Sequence, residues 1–394
     1  MKIGYFITRF PYKEGFNDKS IFGKYQWGGA EIVAYTLSKQ MSKRGHEVKV
    51  FTTSANSYNS VEKDEKLEVY RFSTKISIEK GSLPIKMFFE CLNHTLDLVH
   101  VHFTTPAADL AGLWYKKRRN VPLIITYHGD WQENYGKLIR RMAVYLYNRI
   151  FVDRILSEAD VIVSPSEYYI DESRFLKKYK DKIVVIPNGI NLEDFEIGKS
   201  KEECREILGL DKDKEIILFV GALINYKGPD VLLRAMSIVF NKHSNAELVL
   251  VGNGPMRREL EELAKKLSIE KNVRFAGFVK ERMKPFYYKA ADIFCLPSTM
   301  TTEVFPLVLL EASASEIPMV VSDLNTFKCI IENEYNGIVT KRGDPKSLAD
   351  AIIYLLENED VRMKMGKNAK KKVENYSWEK ITKMTENVYQ MILK

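Results

Sequence analysis

Two rhythms of apolar and polar positions alternate along this chain. Short runs rich in Val, Ile and Phe are followed by longer segments in which apolar residues recur every three or four positions. The first rhythm suits buried strands and the second suits helices with one apolar face. In the first half the runs predict strands at 2–8, 47–52, 97–103, 123–127, 161–164 and 183–186, and helices at 30–44, 106–119, 137–157 and 167–180. The scheme then starts afresh, with strands at 216–220, 247–251, 273–275, 293–296, 319–322 and 337–339, and helices at 229–240, 255–267 and 307–314. Regular strand–helix alternation of this kind predicts an α/β fold, doubly wound, with parallel sheets covered by helices on both faces.

The joint falls at "PNGINLEDFEIGKSKEE" (187–203), where Pro187, Asn188 and Gly189 end a strand and a polar loop follows. Two tandem domains are expected, 1–190 and 191–375. The closing "SWEKITKMTENVYQMILK" places Trp378, Ile381, Met384, Val388 and Met391 at helical spacing, so 376–394 is expected to be a helix crossing back to the first domain. An interdomain cleft lined by the carboxyl ends of both sheets is the expected ligand site.

Composition narrows the class. The 394 residues contain 45% hydrophobic and 28% charged positions, an ordinary globular balance. No apolar run approaches the roughly 18–20 residues of a membrane span, and the opening "MKIGYFITRFPYKEG" does not read as a signal peptide. Cys91, Cys204, Cys295 and Cys329 lie far apart without a CxxC pair, which predicts free thiols in a reducing cytoplasm. The net charge of +8 is uneven: residues 1–190 hold 29 Lys+Arg against 21 Asp+Glu, whereas 191–394 hold 31 of each. Its densest pieces are Lys116, Lys117, Arg118 and Arg119, and "KLIRRMAVYLYNRIFVDR" (137–154). Such a face could meet an acidic substrate, an anionic membrane or nucleic acid, or be a solvated lysine-rich surface.

The most pointed chemistry lies in "TTEVFPLVLLEASA" (301–314), where Glu303 and Glu311 bracket an apolar run. Pro306 favours the first position of a helix and pushes Phe305 out of the helical region. Glu303 therefore belongs to the preceding loop and Glu311 to the helix, with the free N–H groups near Leu307, Val308 and Leu309 between them, an anion site by construction. The glutamates are either solvated ends of a buried helix or two contacts to one ligand.

The E-x7-E spacing, together with "WGGAE" (27–31), "DLVHVH" (97–102), "TYHGD" (126–130), "ADVIVSPSE" (159–167), "IPNGI" (186–190), "FVGALINYKGPD" (219–230), "LVLVGNGP" (248–255), "VRFAGFV" (273–279) and "ADIFCLPS" (291–298), resembles the retaining GT-B glycosyltransferases of family 4. The likeness runs over nearly the whole chain. It implies a GT-B fold and transfer of a hexosyl unit from a nucleotide-diphosphate sugar, UDP- or GDP-linked, to an acceptor hydroxyl, without metal or cofactor. It implies that Glu303 holds donor-sugar hydroxyls, Glu311 the ribose diol and Lys227 the diphosphate. Phe278 and Val279 match the loop around the base, and Gly28 and Gly29 open a helix towards the donor phosphate. Gly221, Phe305, Leu307 and Val308 complete the donor set, and His128 stands beside the transferring sugar.

This sequence departs from the family at three points. Ala222 follows Gly221 where arginine is common, leaving Arg282 or a first-domain residue to supply the missing cation. Glu316 stands where glycine closes the E-x7-E helix, and Pro306 where glycine is frequent. His100 and His102 alternate on one strand but lack a third ligand, so they read as structural, and "DKD" (211–213) reads as a turn. No GxGxxG follows the first strand, which disfavours a nicotinamide enzyme. The runner-up is a nucleotide-sugar epimerase of the same fold. Nucleic-acid binding is disfavoured by scattered charge. The expected location is the cytoplasm, with an anionic or lipid-linked acceptor and peripheral contact at the inner membrane face.

Overall fold

The protein is described by a computed structural model covering residues 1–12, 28–74, 77–78, 81–82, 84–133 and 136–394. Most of the acceptor-side loop 9–26, and Trp27, lie outside these described residues. Two compact units form, Met1–Gly189 with Trp378–Lys394, and Ile190–Ser377.

In the first unit β1 (Lys2–Phe6), β2 (Glu47–Thr53), β3 (Ser60–Asp64), β4 (Leu67–Phe72), β5 (Leu98–Phe103), β6 (Leu123–Tyr127), β7 (Val161–Ser164) and β8 (Ile183–Val185) form one sheet. Its order is β8-β7-β6-β5-β1-β2-β4-β3, parallel except for the β3/β4 hairpin. The second unit has β9 (Glu215–Val220), β10 (Ala246–Val251), β11 (Val273–Gly277), β12 (Ile293–Leu296), β13 (Met319–Ser322) and β14 (Gly337–Thr340) in the parallel order β11-β10-β9-β12-β13-β14. Central strands such as β10 and β12 are buried along their whole length, which explains their unbroken apolar sequences.

Three repeated aspartates fix strand register. Asp97, Asp160 and Asp292 each stand immediately before a strand and accept the N–H of a residue opening the neighbouring strand: Lys2 at 2.7 Å, Leu123 at 2.7 Å and Ile216 at 2.6 Å. The "D-L-V", "A-D-V" and "A-D-I" motifs are thus clamps between the starts of neighbouring interior strands, distant in role from chemistry. Asp292 is also held by Arg205 at 2.7 Å, which keeps this buried carboxylate paired.

The hairpin β3/β4 was not evident in the strand pattern, because β3 is polar on both faces and sits at the sheet edge. The single helix expected over 137–157 is three pieces, Leu138–Tyr147, a π-helical turn Asn148–Val152, and Asp153–Glu158. The segment expected as a helix over 167–180 is α-helical only at Glu167–Glu172, ending where Ser173 gives its hydroxyl to Asp130 at 2.6 Å, and a 3₁₀ turn follows at Leu176–Lys178. The last helix, Trp378–Ile392, packs within the first unit: Tyr389 Oη lies 2.7 Å from Tyr5 Oη and 2.6 Å from His100 Nδ1, and Glu386 pairs with Arg44 at 2.7 Å.

In the second unit the chain moves outward through β9, β10 and β11, then returns to the other side of β9 with β12. The loops after β9 and β12 leave this switch point side by side, the place where open α/β sheets bind ligands.

Candidate active site

Glycines lock the loops at the switch point together. A side chain on Gly252 (φ 133°) would fall 1.9 Å from the Gly221 carbonyl oxygen, and one on Gly254 would fall 2.3 Å from that of Leu223. Gly228 (φ 66°) leaves 2.2 Å to the Pro297 oxygen. Only a backbone without Cβ allows this approach. Hydrogen bonds from Gly221 N to Val251 O (2.9 Å) and Thr299 N to Tyr226 O (2.7 Å) close the contacts.

On this frame Lys227, in a short 3₁₀ turn after Gly221, meets Glu303 from the loop after β12. Its Nζ is 2.7 Å from Glu303 Oε1, and both side chains are largely buried. The Glu303 carbonyl takes the Thr326 hydroxyl at 2.7 Å, which fixes the loop behind the carboxylate. Two residues expected to hold different parts of a ligand therefore hold each other. The helix Leu307–Ala314 begins four residues after Glu303, with Pro306 as its cap in an extended conformation. The expected anion site is narrower than the sequence suggests, because the Leu309 N–H is given to the Pro306 carbonyl at 3.1 Å. Leu307 and Val308 carry the N–H groups that the helix cannot use. Phe305, just before the cap, is buried against Tyr376.

Glu311 is buried inside the helix. Its Oε2 accepts the Tyr288 hydroxyl at 2.7 Å, and its Oε1 lies 3.5 Å from Lys284 Nζ. Lys284 is also 2.8 Å from Glu281. Burial would lower the Lys284 pKa, but Glu311 and Glu281 together hold it above its ordinary value. Arg282 is exposed and Lys284 is the cation drawn to the glutamate. Phe278 and Val279 follow β11, half-buried, beyond Gly277 (φ 73°). The hydroxyls of Ser298 and Thr302, on the same loop as Glu303, are buried and find no partner among the described residues. The sequence assigns no role to Lys284, Tyr288, Ser298, Thr302, Gly252 or Gly254, although the last four lie within the motifs "ADIFCLPS", "TTEVFPLVLLEASA" and "LVLVGNGP".

Gly28, Gly29 and His128 belong to the first unit. Gly28 caps the helix Gly29–Lys43, and its N–H is taken by the Glu31 carboxylate at 2.8 Å. His128 follows β6, and its Nε2 is 3.0 Å from His102 Nδ1. His100 bridges Tyr389 and Thr126 Oγ1 (2.7 Å), and the three imidazoles stack along one sheet face. Burial pushes the pKa of His100 and of His128 down to about 3, and drives that of His102 well below its usual range. Among the described residues, no three His, Cys, Asp or Glu converge as a metal cluster.

Comparison with known proteins decides the family. The description "Glycosyl transferases group 1" matches residues 200–372, and "Glycosyltransferase Family 4" matches residues 27–194. An alpha-monoglucosyldiacylglycerol synthase of Streptococcus pneumoniae is 30% identical over 321 residues, spanning 75% of this chain and 68% of that protein. The chain belongs to the family 4 glycosyltransferases. An uncharacterized glycosyltransferase of Methanocaldococcus jannaschii is 41% identical over 219 residues, and the match spans 55% of this chain and 55% of that one. The fold of this family 4 chain is GT-B: HepE of Anabaena, solved with UDP-glucose, superposes with a TM-score of 0.77 over 99% of this chain and 100% of that one, at 19% identity.

Proposed function

We propose that this glycosyltransferase moves a hexosyl unit, with retention at the anomeric carbon and without a metal, from a UDP- or GDP-linked sugar to an acceptor hydroxyl. The second unit binds the donor and the first unit the acceptor. The observation that carries the reading is the Lys227–Glu303 pair beside the Leu307 helix terminus: a cation, a carboxylate and unused N–H groups at one switch point. Diphosphate oxygens would take Lys227 and the Leu307 and Val308 N–H groups, and sugar hydroxyls would take Glu303. Glu311 would receive the ribose diol, and Phe278 and Val279 would border the base. His128 faces the transferring sugar in this reading. Its neutral imidazole suits hydrogen bonding rather than a charge.

In the reaction the bond from the anomeric carbon to the diphosphate oxygen breaks as the acceptor oxygen forms its bond on the same face. The acceptor proton passes to the leaving phosphate. Catalysis then consists of positioning and of stabilising charge on the diphosphate, and needs no covalent nucleophile. HepE was solved with UDP-glucose and the Streptococcus relative makes a glycolipid by its name, which supports a nucleotide-sugar donor and a lipid acceptor. Among the described residues no helix is long and apolar enough to cross a membrane.

The test is turnover of Lys227→Ala with EDTA present throughout. Losing a charge-assisted contact to the leaving group removes about 2–4 kcal/mol of transition-state stabilisation, roughly 30- to 1000-fold in rate. Wild-type turnover should survive EDTA, with the product anomer matching that of the donor. Near-normal turnover by Lys227→Ala, inversion, or abolition by EDTA would each overturn part of the reading.

A further inference from the structure

The helix Leu138–Tyr147 presents a second apolar face to solvent. Its inner side is anchored: Val144, Tyr147 and Asn148 are buried, Tyr147 Oη donates to Asp109 at 2.8 Å, and Asn148 Nδ2 donates to the Trp131 carbonyl at 3.1 Å. On the other side stand Leu138, Ile139, Met142, Tyr145, Leu146 and Ile150, all exposed. Leu138 and Ile139 are 68% and 71% exposed, as open as lysines on an ordinary surface. At 100° per residue these six fall on one arc of the helix, opposite the buried set. Ile150 lies past Tyr147 in the π-helical turn, and still belongs to the outward stripe. Isolated exposed apolar residues need no cause, but a continuous stripe on one helix does.

Charge says what covers it. From Lys137 to Val152 the sequence holds Lys137, Arg140, Arg141 and Arg149 and no acidic residue. Lys137, Arg141 and Arg149 are exposed. Arg140 turns inward, donating to the Gln132 carbonyl at 3.2 Å over the Trp131 ring. An apolar stripe flanked by cations matches a bilayer surface, where acyl chains take the apolar residues and anionic headgroups take the cations. A second copy of this chain fits less well, because a two-fold contact through this stretch would bring the cations of both copies together with no carboxylate from 137–152 to meet them.

We propose that the outward face of residues 138–150 docks this protein onto an anionic lipid bilayer. Lipid contact lies in the same stretch of the first unit as the segment after His128, since Asn148 and Arg140 hold residues 131–133. Docking there would bring acceptors carried by the membrane to the unit proposed to bind them. That last link rests on the transferase reading; the docking itself does not.

The experiment is co-sedimentation of the full chain with vesicles of phosphatidylcholine alone or mixed with phosphatidylglycerol. Three proteins are compared: wild type, Ile139→Ser/Met142→Ser/Leu146→Ser, and Arg141→Gln/Arg149→Gln. All changed side chains are exposed, and thermal melting checks that the fold is kept. Wild type should bind the anionic vesicles and lose binding as salt rises from about 0.1 M to about 1 M, where the screening length shrinks from ~10 to ~3 Å. The apolar triple variant should bind on the order of 100-fold more weakly. The double arginine variant should bind roughly 25-fold more weakly. Soluble donor binding should be unchanged in both, so loss of vesicle binding leaves the donor-site reading standing. Wild type that ignores anionic vesicles at low salt, or binding indifferent to both variants, overturns the proposal. So does a wild-type dimer in sedimentation that the triple variant converts to monomer while vesicle binding is absent.

Discussion

Lys227 and Glu303 form a buried ion pair at 2.7 Å, so donor binding on the proposed reading is an exchange of partners. The diphosphate would replace Glu303 at the ammonium, and sugar hydroxyls would replace the ammonium at the carboxylate. Each charge then stays compensated in both states, which avoids the cost of leaving one buried and unpaired. Glu311 differs, because Tyr288 and Lys284 already orient its carboxylate, and its role would be to receive a ribose rather than to switch partners. The histidines of the first unit give a pH-dependent counterpart. His100 is fully buried between Tyr389 and Thr126, and its folded pKa of about 3 lies below its unfolded value. Its contribution is therefore complete above pH ~6.5 and is lost as the pH falls towards 3, with about 2 kcal/mol gone by pH 5. Urea unfolding at pH 7 and pH 5 should show a loss to which His102 and His128 also contribute, and His100→Gln should reduce that loss by about 2 kcal/mol. Equal losses would mean that His100 is charged in the folded protein.

At the scale of elements, the helix Leu307–Ala314 shows how far sequence reasoning reaches. Pro306 marks its start in both the sequence and the structure, as its fixed φ and missing N–H require. Its end is equally legible. Glu316 adopts φ 59°, the left-handed conformation suited to glycine, and its N–H bonds the Ser313 carbonyl at 3.1 Å while Ile317 bonds Ala312 at 3.2 Å. Glu316→Gly should raise stability by about 1 kcal/mol, a melting shift of roughly 2–4 °C for a unit of this size, with donor binding unchanged. No gain in melting temperature would show that local contacts of Glu316 offset its backbone strain. The π-helical turn at Asn148–Val152 was not legible, because it inserts without any change in the apolar pattern. The β3/β4 hairpin hid for the opposite reason: β3, at the edge, has no buried face to write into its sequence.

The whole molecule was legible where a pattern repeats. Two parallel sheets follow from strand–helix alternation that starts twice, and the three register aspartates recur at matching places. The Lys227–Glu303 contact was not legible, since 76 positions separate the two residues and only the crossing from β9 to β12 brings them together. Nor was the pairing of Lys284 with Glu311, which depends on Lys284 turning inward at the start of its helix. The central claim is that the second unit carries a nucleotide-diphosphate sugar, with Glu311 on the ribose and Glu303 on the sugar. Calorimetric titration of UDP, GDP and their glucose and mannose conjugates into wild type, Glu311→Gln and Glu303→Gln tests it most directly. The account predicts that Glu311→Gln weakens free nucleotide and nucleotide sugar alike by about 1.5–3 kcal/mol, the worth of a hydrogen bond to a charged group, whereas Glu303→Gln weakens only the sugar conjugate. Equal effects of both variants on the free nucleotide, or no binding of any of these ligands to wild type, would contradict it.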